Sequence, residues 1–215
     1  MKAVINQEQT SLARVEQLGF SLEFVQGMLM AGESSRARHT IFHPPGAPGF
    51  NAWSDSVAYL REHKAGSDWE VKNIKGLPVI IDRKSNRAFG ITSGDKATGT
   101  RFHPKSKNPK GKASFGLIQR NSDQLSFDEL QLGKMPKNID ADYEIELWLF
   151  VIYRHDEGMR SELSLPLSID EEGFISGWAE RNIFPEISFE PQIPDPRKTS
   201  DNNSEEIVVE VTRKS

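Results

Sequence analysis

The chain of 215 residues contains no cysteine. Disulfide bonds, thiolate metal sites and cysteine nucleophiles all require a thiol, so zinc fingers with cysteine ligands, iron–sulfur proteins and thiol enzymes are excluded. A chain without disulfides suits a reducing compartment, and we therefore expect a cytoplasmic protein.

Long hydrophobic runs are absent as well. The longest, residues 147–153, contains seven apolar residues, whereas a membrane-spanning helix needs about 20. At the N-terminus only Ala3, Val4 and Ile5 precede the polar Asn6, too few for the core of a signal peptide. We therefore expect no membrane partner.

The short motifs of the common enzyme classes are also lacking. The sequence contains no G-x-S-x-G elbow, no GxGxxG fingerprint and no kinase motif set. Its five histidines are scattered, and the prolines after His43 argue against a helix that would place His39 and His43 on one face. These motifs and histidines thus predict no cofactor and no metal site.

What the chain does have is an uneven distribution of charge. Residues 1–120 carry 18 basic and 10 acidic side chains, whereas residues 121–215 carry 9 and 21. The whole-chain net charge of −4 hides this division. A basic first part and an acidic second part set different local fields for a partner, or they attract each other within one fold.

Helical spacing dominates the first part. Apolar residues recur at intervals of three and four over residues 10–18 and 21–32, with Ser21 as the expected N-cap of the second helix. A connector rich in proline, residues 43–49, separates this pair from a third predicted helix at 51–64.

Beyond residue 68 the spacing changes to the alternation of strands. We predict strands at 69–74, 77–81, 87–92, 115–120, 143–154 and 161–167, and a smaller element at 174–181. Together, the predicted helices and strands indicate an α+β fold, with N-terminal helices followed by a mainly antiparallel sheet. Residues 1–190 are predicted to form one domain, basic over 1–120 and acidic over 121–190, and the polar residues 191–215 a flexible tail.

A basic segment within residues 93–113 is the first functional candidate, because its glycines and prolines predict a long exposed loop. Flexible cations can neutralise phosphates, and a neighbouring His or aromatic ring can stack on an unpaired base. The predicted nucleic-acid contacts, to DNA or RNA, are Arg101, His103, Lys105, Lys107, Lys110 and Lys112.

The residues directly after the strand at 87–92 form a second candidate. Glycines there free backbone N–H groups to turn inward, and hydroxyls with a lysine complete an anion-binding loop. Its predicted members are Ser93, Gly94, Lys96 and Thr98. An ordinary hairpin turn is the alternative, because Asp95 places a negative charge where an anion would lie.

A third candidate is a metal-dependent nuclease site. Glu70 and Lys72 have the E-x-K spacing of PD-(D/E)xK nucleases, which places both side chains on one face of a strand, and Asp55 is a preceding acid for a Mg²⁺ site. Chance supplies several such pairs in a chain this rich in charge.

The acidic second part suggests a different class of function. Its carboxylates could line a surface that binds a basic protein, as an inhibitor or immunity-type protein does. We rank nucleic-acid binding without catalysis first, the inhibitor second and the nuclease third.

Overall fold

The computed structural model describes residues 4–6, 8–74, 76–129 and 145–189. The predicted tail at 191–215 and most of the acidic stretch before residue 145 lie outside this part of the chain. The described elements, in chain order, are β1 Val4–Asn6, α1 Glu8–Gln17, α2 Leu22–Ala37, α3 Ala47–Lys64, β2 Trp69–Ile74, β3 Leu77–Asp82, β4 Arg87–Ser93, α4 Lys112–Glu129, β5 Glu146–His155, β6 Gly158–Ile169, β7 Ile175–Ile183 and β8 Ile187–Ser188.

The strands form one sheet in the order β1-β7-β6-β5-β4-β3-β2, with β8 paired to β6. β4 and β5 are parallel, as are β1 and β7, whereas the other described pairs are antiparallel. The α+β class is correct, but the sheet is mixed and the helices are not all N-terminal. A parallel pair needs a crossover connection, and α4 supplies it between β4 and β5.

The strand predicted at 115–120 is wrong, because these residues lie within α4. The buried positions Ser114, Leu117, Ile118 and Asn121 are three or four residues apart, which is the spacing of one helical face. A short apolar run such as Leu117–Ile118 fits a helix or a strand equally well. The helical period is hidden in the sequence because the other two buried residues of this helix face, Ser114 and Asn121, are polar.

The described residues form two hydrophobic cores, which lie on opposite faces of the sheet. One joins Val25 of α2 and Leu60 of α3 to Phe150 of β5, and the other joins Leu117 of α4 to Leu149 of β5. Neighbouring residues of β5 point to alternate faces, so its continuous apolar sequence reflects a strand buried on both sides. The prediction of a doubly buried strand here is confirmed.

The predicted N-cap of α2 is confirmed, whereas α3 begins earlier than predicted. Ser21 caps α2 as predicted, because its hydroxyl accepts a hydrogen bond from the Phe24 backbone N–H at 3.1 Å. α3 begins four residues before the predicted start, at Ala47, and includes Pro48 in its first turn. Proline is tolerated there because the first N–H groups of a helix have no partner within the helix.

The described helices include none that is both long and apolar enough to cross a membrane.

Asn121 ties α4 to the sheet. Its Nδ2 donates to the carbonyl oxygens of Leu147 and Pro166, both at 2.9 Å, and its Oδ1 accepts from the Leu147 N–H at 3.1 Å. Replacing Asn121 with Leu leaves these buried backbone groups without partners, so we expect a loss of about 3 kcal/mol in unfolding free energy, measured in urea. The same change at the exposed Gln119 is the control and should cost under about 0.5 kcal/mol.

Candidate functional site

A cleft of about 660 Å³ opens where β4 and β5 end. Because these strands are parallel, their carboxyl ends meet at one edge of the sheet, the place where ligands commonly bind in folds with parallel strands. The cleft is lined by Glu33 and Arg36 of α2, by Trp53 of α3, by residues 91–96, by residues 152–156 and by Lys107.

Trp53 binds the backbone of β4 near the cleft end of that strand. The register of β4 with β3 stops at Phe89, two residues before the Ile91 carbonyl. The indole N–H of Trp53 donates to this carbonyl at 3.2 Å. Trp53 therefore supplies a hydrogen bond to a backbone carbonyl near the end of β4, and it also forms one wall of the cleft.

Aromatic rings line or adjoin two sides of the cleft. On the helical side, Phe50 is exposed and its ring centroid lies 5.8 Å from that of Trp53. On the strand side, the guanidinium of Arg160 lies 5.1 Å from the ring centroid of Tyr153. The Nη2 of Arg160 also donates to the Lys96 carbonyl at 3.0 Å, which places Arg160 beside the cleft.

Three of the described cations, Arg36, Lys96 and Lys107, line the cleft, and Arg160 lies beside them. We call these four residues the cationic rim. Within the described part of the chain, none of the four forms an ion pair. By contrast, Arg154 in the cleft wall is paired with Glu33 at 2.9 Å.

The residues of the predicted basic segment have different environments in the structure. Lys107 lies at the cleft, and Arg101 and His103 are exposed. Lys105 forms an ion pair with Asp170 at 2.9 Å, and this hydrogen bond raises the pKa of Lys105. The side chain of Lys112 lies outside the described residues.

Lys110 points inward. Its Nζ donates to the Thr92 hydroxyl at 2.6 Å, and burial lowers the pKa of its ammonium group to about 8. A partly desolvated ammonium group with a neutral partner is a poor surface contact for phosphate.

A buried ion pair holds the loop that carries these residues, the β4–α4 loop (residues 94–111). Arg181 of β7 and Glu162 of β6 are fully buried and paired with each other. Arg181 also donates to the carbonyls of Phe102, at 2.8 Å, and Thr100, at 3.0 Å. Gly99, with a φ of +69°, donates its N–H to Glu162 at 3.0 Å. The loop is therefore anchored on the sheet rather than fully exposed.

Sequence reasoning did not identify this anchor, because Arg181 lies about 80 positions from the carbonyls that it binds. A further anchor, the indole N–H of Trp178 bonded to the Pro104 carbonyl at 2.8 Å, is just as distant in sequence. No local pattern connects such residues, because β7 contains polar as well as apolar residues and nothing in its sequence marks Trp178 or Arg181 as bound to a distant loop.

Three of the four residues of the predicted anion-binding loop lie at the cleft. Ser93, Gly94 and Lys96 line it. Thr98 is fully buried, and its hydroxyl has no hydrogen-bond partner among the described residues. The carboxylate of Asp95 accepts from the Ala97 N–H at 3.0 Å, the bond of a tight turn.

The three candidate nuclease residues do not converge. Glu70 and Lys72 lie on β2 at alternate positions with Ile74, which packs on the α4 side of the sheet. Asp55 lies on α3, on the other side, and accepts from Arg38 at 3.4 Å. Glu70 accepts from Arg83 at 3.2 Å. The described residues include no group of three or more His, Cys, Asp or Glu placed to hold a metal ion.

Ion pairs link the basic and acidic parts of the chain. Arg14 pairs with Glu180 and Arg87 pairs with Glu146, both at 2.9 Å. The Lys105–Asp170 pair is a third link of this kind. Part of the charge asymmetry is thus neutralised by ion pairs between the two parts of the chain. The residues of the cationic rim differ in that they take part in none of the ion pairs among the described residues.

No protein family, curated protein or solved structure matches this chain. The functional assignment therefore depends on the geometry of the cleft and its residues.

Proposed function

We propose that the protein is a non-enzymatic accessory or regulatory protein that binds nucleic acid, and that the cationic rim contacts the phosphates. The supporting observation is the convergence of Arg36 from α2, Lys96 and Lys107 from the β4–α4 loop and Arg160 from β6 around one cleft. Cations without an ion pair keep their full attraction for a polyanion and release its counterions on binding.

The charge balance at the cleft favours an anionic ligand. The four rim cations face two carboxylates without an ion pair among the described residues, Asp95 and Asp156. The rings of Trp53 and Tyr153 in the walls offer flat apolar surfaces of the kind on which bases stack. A phosphate backbone that carries bases satisfies both features.

Neutralising part of the rim should weaken binding in a manner that depends on salt. In the double variant Lys96→Gln/Lys107→Gln, two phosphate contacts are removed, each worth about 0.7 in the slope of log affinity against log salt for a single strand. We expect the slope to become less steep by about 1.4, measured by fluorescence anisotropy of labelled DNA and RNA strands.

The matched control is Arg83→Gln/Lys84→Gln, which removes the same charge from the turn between β3 and β4, at the other end of β4 from the cleft. Its slope should equal that of the unmodified protein. The proposal fails if the unmodified protein shows no salt-sensitive binding, or if both double variants change the slope equally. Cleavage of the strand that requires Mg²⁺ and disappears with Glu70→Gln would contradict a non-enzymatic role and support the nuclease.

A further inference from the structure

The loop between α2 and α3 presents two large apolar side chains to solvent. Ile41 is 93% exposed and Phe42 is 90% exposed. We call this pair the apolar tip. Full exposure of an aromatic and a branched side chain next to each other costs hydrophobic free energy, so it points to a contact made by the tip.

The exposure is imposed by a well-braced loop. Nδ1 of His39 donates to the Ser35 carbonyl at 3.0 Å, and its Nε2 accepts from the Asn51 side chain at 2.9 Å. On the other side of the tip, Nδ1 of His43 accepts from the Thr40 N–H at 3.0 Å. Helix ends and two histidines therefore hold the tip away from the protein.

The apolar tip belongs to the same end of the molecule as the cleft. The loop follows the last turn of α2, which contains Arg36 of the cationic rim, and leads into α3, which carries Phe50 and Trp53. The exposed ring of Phe50 next to Trp53 extends the aromatic surface from the cleft wall outward. The apolar tip therefore lies in the connection between the helix end that carries Arg36 and the helix start that carries Phe50.

The size of the apolar tip selects among possible contacts. A stable protein interface buries about 800 Å² on each partner, whereas a large aromatic side chain offers about 150–250 Å². Two side chains are too small a surface for such an interface, but one ring suffices to stack a nucleobase. The neighbouring cations fit the phosphates of the same ligand.

We infer that the apolar tip is a stacking site for an unpaired base of a single-stranded nucleic acid, with Phe42 as the stacking ring and Ile41 beside it. This inference rests on the proposed function, because the cationic rim must hold the strand. It adds the class of ligand, a single strand rather than a duplex, since a base within a duplex is already stacked on its neighbours.

The test uses the full-length chain and a single-stranded oligonucleotide with one 2-aminopurine, whose fluorescence changes when the base stacks. For Phe42→Ala we expect an affinity loss of about 5- to 150-fold, no change in the salt slope, and loss of the 2-aminopurine signal. Phe42→Trp should retain both affinity and signal. Because Phe42 is almost fully exposed, neither change should affect folding.

The matched control is Phe115→Ala, which removes another exposed aromatic ring, on α4, and should leave affinity unchanged. If the unmodified protein binds with a salt slope but Phe42→Ala binds equally well, the inference is overturned and the proposed function stands. If the unmodified protein does not bind at all, the proposed function itself fails.

Two further outcomes would overturn the inference alone. One is a duplex of the same length that competes as well as the single strand. The other is binding to phosphatidylserine vesicles that depends on Phe42 while the affinity for the single strand does not, which would make the tip a membrane contact.

Discussion

Replacing Arg181 with Met is expected to lower the free energy of unfolding by about 3–5 kcal/mol, the range found when one partner of a buried ion pair is removed. Arg181 and Glu162 are both fully buried. Without the guanidinium, the Glu162 carboxylate loses its counter-ion inside the protein, and the carbonyls of Thr100 and Phe102 lose their donors. The measurement is equilibrium unfolding in urea.

Two further variants test whether the loss of stability in Arg181→Met comes from a buried charge left without its partner. Glu162→Met combined with Arg181→Met removes both charges and should recover part of the loss, because a buried pair replaced by apolar side chains is often close to neutral. Arg87→Met breaks the partly exposed pair with Glu146 and should cost only about 1 kcal/mol. A double variant as unstable as Arg181→Met alone would contradict this explanation.

The same change should also release the β4–α4 loop. Arg181 donates to the backbone carbonyls of Thr100 and Phe102, so Arg181→Met removes two of the hydrogen bonds that hold the loop on the sheet. A third bond, from the Gly99 N–H, goes to Glu162, which loses its buried partner in this variant. Since Lys96 and Lys107 belong to this loop, Arg181→Met should reduce nucleic-acid affinity even under conditions in which the variant is still folded.

Lys110→Met is expected to stabilise the protein at neutral pH and to lose this advantage in alkaline solution. Burial lowers the pKa of Lys110 from 10.5 to about 8 in the folded state. Between these values the unfolded chain binds more protons than the folded one, so the stability of the unmodified protein rises with pH through this window. Below pH 8 the charged lysine destabilises the fold by about 3 kcal/mol relative to a neutral group.

The stability difference between Lys110→Met and the unmodified protein should therefore be about 2–3 kcal/mol smaller at pH 10 than at pH 7. Urea unfolding at both pH values measures it, and comparing the two proteins cancels the other titrating groups. Lys84→Met is the control, because Lys84 is exposed and its pKa is raised by the hydrogen bond to Asp68. A difference between Lys110→Met and the unmodified protein that does not vary with pH would contradict the role of burial.

The part of the candidate site that lies in one continuous segment can be predicted from the sequence. The loop after β4 was identified through Ser93, Gly94 and Lys96, and the basic segment through Lys107, because glycines and lysines close together in sequence are visible as local patterns. Arg36, Trp53, Tyr153 and Arg160 were not recognised as parts of a site. Trp53 and Tyr153 lie in a predicted helix and a predicted strand whose periodicity already explains them, whereas Arg36 and Arg160 fall just outside the predicted elements. The four residues are distributed over more than 120 positions.

The sequence by itself determined most of the elements, because period and caps are local: α2 with its Ser21 cap, β2 over residues 69–74, and the doubly buried β5. Only the tertiary structure decided that α4 crosses between β4 and β5, that these strands run parallel, and that their ends form a cleft. It also decided which lysines of the basic segment have partners, since Lys105 pairs with Asp170 and Lys110 donates to the Thr92 hydroxyl. Strand order and long-range ion pairs depend on the packing of the whole chain, which no local pattern contains.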